Sequence, residues 1–376
     1  MRWCKNCLEP DTRPGQVFDE SGICTPCQYA LNKVPVDWDA RKREIKEIAE
    51  WAKANRTGKY DCVLGVSGGK DSVRLAYFLR ELGLNPLLVC ATYIPQQMTD
   101  LGAYNLANII ECGFDLETIN VAPDTCRKMM QFAFKKFGNW AKATEFFLIT
   151  SMPRMAITHG IPLACGGENP FVTSGSECGS TDGDATNFAM LNTIGGGDLS
   201  HFIDEGFTEN DLHFYSVPSV DQMQANKIRF IYLGYYIDDW GVTPNAKFSI
   251  DKGLKCRDGF GADPANTGSL HPYACLDEDF IFVHQYLKYL KFGFSFATQQ
   301  LSHDIREMEE GSVKREEAIE LVKKYDGKCS EHYLERVRDF LEMSREDFDE
   351  TLEKFRNDDV WQKDNHGNWI HRQPIE

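Results

Sequence analysis

The chain has 376 residues, 42% apolar and 26% charged, with 24 Phe, 14 Tyr and 7 Trp; this is globular composition, about two domains long, and it excludes intrinsic disorder, collagen and coiled coil. With 41 basic against 57 acidic residues the formal net charge is −16, so there is no diffuse cationic field to attract a nucleic-acid backbone. No run approaches the roughly eighteen apolar residues of a membrane span, and Met1, Arg2, Trp3 and Cys4 lack the apolar core of a signal peptide, so a cytoplasmic location without membrane attachment is expected.

The thirteen cysteines are odd in number, and Cys62, Cys90 and Cys165 lie singly in apolar runs, as free thiols do in a reducing compartment. The first four differ. Cys4 and Cys7, then Cys24 and Cys27, form two C-x2-C pairs, the spacing of a zinc ribbon whose four thiolates close a tetrahedral site and leave no place for a catalytic water. Residues 1–35 are expected to form this ribbon, with Pro10, Pro14, Gly15 and Gly22 in its turns and structural Zn2+ replacing a core. Four free thiols or two local disulfides are the blander alternative.

A helix is predicted from Asp39 to Ala54, where Ile45, Ile48, Ala49 and Ala52 recur at helical spacing. Tyr60 to Val66 then reads as a buried parallel strand. It runs into Ser67-Gly68-Gly69-Lys70-Asp71-Ser72, followed by an amphipathic helix that stops at Gly83. Strand, glycine loop and helix start form a phosphate-binding unit: paired glycines admit an anion to the main chain, the helix N-terminus adds its dipole, and Ser67, Ser72 and Lys70 add hydroxyls and a charge. The loop is neither Walker A, since Leu64 stands six before Lys70 and Asp71 follows it, nor G-x-G-x-x-G. Asp71 beside phosphate calls for a bridging Mg2+. A glycine turn without chemistry is the alternative.

Strands at Leu87 to Tyr93 and Leu116 to Val121 alternate with helices at Tyr104 to Cys112 and Asp124 to Phe137, which predicts an α/β fold with an open parallel sheet. Ile94, Pro95 and Gln96, beyond a strand end, are expected to wall the adenosine. A helix at Thr144 to His159 leads to a strand at Ile161 to Ala164 and the turn Cys165-Gly166-Gly167-Glu168-Asn169-Pro170. Here Gly167 would permit close approach, Glu168 would hold Mg2+ and Asn169 would read an amide or ribose hydroxyl. Gly175 to Gly183 and Gly195 to Gly197 read as loops over a site or as surface linkers. Residues 36–265 are assigned to this nucleotide-binding unit.

Residues 266–376 are expected to be helical: Phe280 to Phe292, Ala297 to Glu310, Lys314 to Tyr325, Ser330 to Met343 and Arg345 to Phe355, with Ser344 and Asp347 forming a cap. No pair of His284, His303 and His332 shares an i, i+4 face with a carboxylate, and all three are read as helix residues rather than ligands. Glu307, Glu309 and Glu310 are a solvated face. Lys252, Lys255 and Arg257 are read as surface scatter rather than a diphosphate clamp.

Ser67 to Ser72 resembles the PP-loop of the ATP pyrophosphatases. With the ribbon cysteines, Gly167 to Pro170, Lys291-Phe292-Gly293-Phe294, Ala297-Thr298, Arg315-Glu316-Glu317 and Lys354-Phe355-Arg356, the chain resembles the N-acetyl sugar amidotransferases of bacterial surface-polysaccharide and nonulosonic-acid biosynthesis, including lipopolysaccharide O-antigen. The resemblance implies ATP-dependent conversion of an acetamido group on a nucleotide-linked sugar to an acetamidino group, releasing AMP and pyrophosphate. It implies catalytic Lys70, Asp71 and Glu168, nucleotide contacts from Ser67, Gly68, Gly69, Lys70, Asp71, Ser72, Gly167, Glu168 and Asn169, and Mg2+ on Asp71. Ammonia would come from a separate glutaminase, with a cyclase-like channel subunit as a further partner, since Cys4 is not the first residue and neither Cys165 nor Cys178 sits in a G-x-C-x-G elbow. Two other readings are a PP-loop tRNA-modifying enzyme, disfavoured by the acidic charge, and a non-catalytic nucleotide-sensing ribbon adaptor, disfavoured by the intact Lys70 and Asp71.

Overall fold

The structure is a computed structural model that describes residues 1–32, 35–170, 179–190, 195–307 and 313–376. After α1 (Thr25–Leu31) in the ribbon, α2 (Trp38–Asn55) opens an alternating series: β1 (Cys62–Gly65), α3 (Lys70–Glu81), β2 (Pro86–Ala91), α4 (Asp100–Glu111), β3 (Asp115–Ile119), α5 (Pro123–Phe137), α6 (Ala141–His159), β4 (Leu163–Gly166) and β5 (Arg229–Tyr232). The five strands form one sheet in the order β3-β2-β1-β4-β5, parallel at every pairing.

Both faces of the sheet are covered, which is why its central strands read as unbroken apolar runs. Cys62, Leu64 and Leu88 pack with Ile45 and Ile48 of α2 and Val73 and Leu79 of α3. Val63, Val89 and Ala164 point the other way, into a core with Met130 and Phe134 of α5 and Phe146 of α6. That second core continues into Phe280, Phe282 and Leu287, so the helices after residue 276 close over one side of the sheet.

β5 was not anticipated. Its outer edge is paired: Tyr232 N–H donates to the Gly183 carbonyl at 2.8 Å and Ala185 N–H to that of Phe230 at 2.9 Å. The glycine stretch ending at Gly183 is thus partly a strand-edge segment; its beginning, with Gly175 and Cys178, lies outside the described residues. Gly195–Gly197 is a 3-10 turn.

α7 (Val242–Ile250) follows β5, and then come α8 (Phe280–Phe292), α9 (Phe296–Glu307), α10 (Arg315–Tyr325), α11 (Glu331–Phe340) and α12 (Arg345–Lys354). The expected cap is present, with Ser344 Oγ accepting from Asp347 N–H at 3.0 Å. Glu309 and Glu310 lie outside the described residues. The expectation of an all-helical C-terminus needs one correction: β6 (Trp361–Lys363) and β7 (Trp369–His371) form an antiparallel hairpin. Asp364 Oδ1 accepts from the His366 and Asn368 amides at 2.8 and 2.9 Å, Gly367 takes φ +83°, and the Trp361 and His371 rings stack at 4.2 Å.

Candidate functional site

The strand order reverses at β1, with β2 and β3 to one side and β4 and β5 to the other. In open parallel sheets the crevice beyond the carboxyl ends at such a point is where ligands bind. Ser67 to Ser72 follows β1 and Gly167 to Asn169 follows β4, so the topology brings both motifs to one crevice.

The loop is built to stay open. Gly68 has φ +82°, and a Cβ there would lie 2.8 Å from the Leu106 backbone nitrogen, so α4 packs directly against bare main chain. Ser72 Oγ accepts from Ser67 N–H at 2.9 Å, closing the loop on itself. Gly69 caps α3, whose first-turn amides have no partner within the helix. α7 supports the loop from outside the motif: Asn245 Nδ2 donates to Asp71 Oδ1 at 2.8 Å and Ser249 Oγ to the Lys70 carbonyl at 2.6 Å. Sequence reasoning missed both, although their i, i+4 spacing marks one helix face.

Lys70 Nζ lies 2.6 Å from Asp71 Oδ2. Burial opposes the charge on Lys70, but the carboxylates of Asp71 and Glu168 outweigh it and raise the pKa. Glu168 stands where two recesses meet, reachable by solvent yet ringed by protein; desolvation and Asp71 raise its pKa against the pull of Lys70. Asp277, also missed from sequence, bonds Ser67, and burial raises its pKa. Bridging between Met98 and Glu278 brings this segment in.

Three carboxyl groups around one lysine would repel a triphosphate unless a cation intervened, so the donor chemistry fits Mg2+. Among the described residues only Cys4, Cys7, Cys24 and Cys27 gather three or more ligand atoms at one point. This accords with Mg2+ keeping mostly phosphate and water ligands and taking one or two carboxylates.

A cavity of about 340 Å3 opens beside the loop, lined by Ser67, Ser72, Glu168 and Asp277 at one end and by Tyr93, Phe188, Phe230 and Tyr232 at the other. Its size is that of a small-ligand site. Of the residues expected to wall the adenosine, Ile94 is core at 3% exposure; the neighbouring Tyr93 lines this cavity, and Ile94, Pro95 and Gln96 do not.

Gly167 lies close under Leu75, where a Cβ would be 3.1 Å from its Cδ1, and its carbonyl accepts from Gly234 N–H at 3.2 Å. Asn169 is buried and clamps the backbone at Ser180, donating to its carbonyl at 2.7 Å and accepting from its amide at 3.1 Å. These bonds make Asn169 a support of the turn, and it also lines the neighbouring recess.

The ribbon cysteines converge as their spacing predicts. All four sulfurs lie within 4.8 Å of one another, and Cys7 Sγ to Cys24 Sγ is 3.7 Å, close to the ~3.8 Å that tetrahedral Zn–S bonds of ~2.3 Å require. Hydrogen bonds from neighbouring thiols pull Cys4 down while burial pushes Cys7 up; without a cation the four cannot all ionise. The cluster could hold a structural metal such as zinc. Amides turn in toward it: Cys24 N–H donates to Cys4 Sγ at 3.3 Å and Glu9 N–H to Cys7 Sγ at 3.4 Å. Arg306 Nη1 reaches Cys7 Sγ at 3.7 Å, and Arg315 donates to the Cys7 and Cys4 carbonyls at 3.3 and 3.4 Å, pinning the ribbon to α9 and α10.

Arg257 is not surface scatter. Its side chain is 7% exposed and staples the 275–279 segment, pairing with Asp279 at 2.8 Å and donating to the Glu278 carbonyl at 2.8 Å. Lys252 and Lys255 lie over the rings of Tyr77 and Tyr104 and line neither recess at the loop. None of His284, His303 and His332 joins a ligand cluster among the described residues.

Residues 276–373 match the family described as LPS biosynthesis protein WbpG-like, C-terminal domain. The likeness covers α8 to β7, the part of the chain where the short motifs were least specific. The chain is also 41% identical over 73 residues to the uncharacterized protein MJ1599 of Methanocaldococcus jannaschii. That stretch is 19% of this chain and 26% of the relative, so the chain spans about a quarter of the length of the curated relative it matches. No helix among the described residues is long and apolar enough to cross a membrane.

Proposed function

We infer that the chain is an enzyme of surface-polysaccharide biosynthesis, an ATP-dependent amidotransferase that turns an acetamido group of a nucleotide-linked sugar into an acetamidino group. The observation that carries the reading is the Ser67 to Ser72 loop at the switch point of a parallel sheet, with Ser67 and Ser72 lining a cavity of ligand size. The WbpG-like C-terminal region supports the pathway.

An amide oxygen is a poor leaving group until it is phosphorylated. In the proposed reaction the acetamido oxygen attacks the α-phosphate of ATP and pyrophosphate leaves; ammonia adds to the imidate carbon, and AMP departs with that oxygen. The loop amides and Lys70 would hold the phosphates and stabilise charge on the departing pyrophosphate. Asp71 and Glu168 would hold Mg2+, which when bound neutralises phosphate charge. Tyr93 and Phe230 would wall the nucleotide base. A separate glutaminase would supply ammonia, with a channel subunit as a further partner.

The test incubates the full chain with ATP, Mg2+, an ammonium salt and a panel of UDP- and CMP-linked acetamido sugars, followed by mass spectrometry. Replacement of one oxygen by NH in a panel member is the expected result. Nucleotide hydrolysis with every sugar unchanged would count against the reading, and so would amidation driven by glutamine on the isolated chain.

A further inference from the structure

A second cavity, of about 620 Å3, lies between Arg13 of the ribbon, the α5–α6 corner and the face of α8 that carries Lys288. It adjoins the first, because Tyr93 and Leu148 line both. Its charge runs against that of the molecule. In a chain of net charge −16, its wall holds Arg13, Lys142, Lys288 and Lys291 against Glu145 and Glu278. Burial pushes the Glu278 carboxyl up to about 8, which leaves it mostly uncharged at neutral pH.

Lys291 is occupied, donating to the Phe137 and Gly138 carbonyls at 2.7 and 3.3 Å and closing the end of α5. Arg13 pairs with Glu9 at 2.9 Å, a carboxylate that also lies 4.0 Å from Arg306. Among the described residues Lys288 has no carboxylate in ion-pair contact; its amine sits 4.3 Å over the Phe294 ring. Burial and then Arg13 push the Lys288 amine down to about 7, against Glu9 and Asp326. His284 is held neutral by burial, down to about 4, and adds no charge. Arg13 and Lys288 are thus crowded in one recess with Glu9 as their shared counter-charge, an arrangement that an entering anion stabilises.

We propose that this cavity is the acceptor site, holding a nucleoside diphosphate between Arg13, Lys142 and Lys288 so that the sugar's amide passes Tyr93 and Leu148 toward the Ser67 to Ser72 loop. What the acceptor carries rests on the amidotransferase reading; where its phosphates sit rests on the cavity. Its volume lies within the range of sites that enclose ligands of this size.

Calorimetry on the full chain, with the first cavity saturated by α,β-methylene-ATP and Mg2+, would titrate UDP, GDP and dTDP, with inorganic pyrophosphate as a separate arm. At least one nucleoside diphosphate should bind. Lys288→Met and Arg13→Gln should each weaken it about tenfold or more, as expected for loss of a charge-assisted bond to phosphate, while Lys288→Arg should stay within a few-fold. α,β-Methylene-ATP binding should be unchanged in all three variants, which also reports an intact fold. Failure of all three nucleotides to bind, unchanged affinity in both neutral variants, or pyrophosphate binding as tightly as the nucleotide would overturn the proposal. Because no turnover is needed, charge-dependent binding without amidination would sink the reaction and keep the site; amidination with unaffected binding would do the reverse.

Discussion

The two cavities that share Tyr93 and Leu148 are built in opposite ways. One end of the first is lined by Ser67 and Ser72 and by Gly167 and Glu168, from two short runs placed by adjacent strands. The second is assembled from the ribbon, the α5–α6 corner and α8, segments that are far apart in the chain. Phosphate chemistry needs consecutive main-chain amides, so it leaves a motif. A recess that recognises charge and shape needs only side chains brought together by packing, and leaves none.

The first way to break this comparison, with the largest expected effect, is to disrupt the cysteine cluster that could hold a structural metal. Structural zinc contributes on the order of 10 kcal/mol to folding of small sites, so Cys4→Ser or chelation should lower stability by several kcal/mol in denaturant unfolding, with zinc loss followed by elemental analysis. Because Arg13 belongs to the ribbon, acceptor affinity should fall before ATP affinity does. A chain that is fully folded without metal would contradict this.

Lys70→Ala and Asp71→Asn probe the Ser67 to Ser72 loop alone. Both are part-buried polar side chains at a helix start, outside the apolar clusters, so neither leaves a core void, and each substitution removes charge compensation worth ~3 kcal/mol or more in the transition state. Turnover should drop by about two orders of magnitude or more in a pyrophosphate-release assay, with the melting temperature and acceptor binding little changed. Near-normal turnover would mean that the loop is not the reacting one.

Gly68→Ala separates backbone from charge. The substitution forces a side chain into positive φ against the α4 backbone, at a cost of about 1–3 kcal/mol, and ATP affinity should fall although every charged group remains. Unchanged stability and affinity would show that the loop does not depend on bare main chain.

The last effect is read as a slope. Glu278 has its folded pKa raised from 4.5 to about 8, so between those values the folded state keeps a proton that the unfolded chain has lost. Its contribution is fully present below the unfolded pKa and falls as pH rises toward 8, by at most ~1.4 kcal/mol per pH unit. Glu278→Gln should flatten the decline of stability across pH 5 to 8, and an unchanged slope would place the titration elsewhere.

Much of the α/β region was legible because β1, β2 and β4 are short apolar runs, two of which lead into glycine turns. β5 was missed although it is as long as β1 and β4, because exposed Arg229 interrupts its apolar run. The hairpin near residue 365 was missed because its turn is fixed by Asp364 accepting two amides, which composition does not reveal. In the candidate site, the loop stood out in sequence while Asn245, Ser249 and Asp277 did not. They reach Lys70, Asp71 and Ser67 across more than a hundred residues, and Asn, Ser and Asp at such distances carry no spacing rule. Arg257 looked like one of three surface cations because sequence cannot show that the chain folds Asp279 back onto it.

The account's central claim is that the acetamido oxygen itself attacks ATP. An acceptor from the panel, labelled with 18O in its acetamido carbonyl and incubated with the full chain, ATP, Mg2+ and ammonium, tests this directly. The account predicts one 18O in the phosphate of each AMP formed, matched one for one by acetamidino product and by unlabelled pyrophosphate. Label recovered in inorganic phosphate or water, with ADP as the nucleotide product, would contradict it.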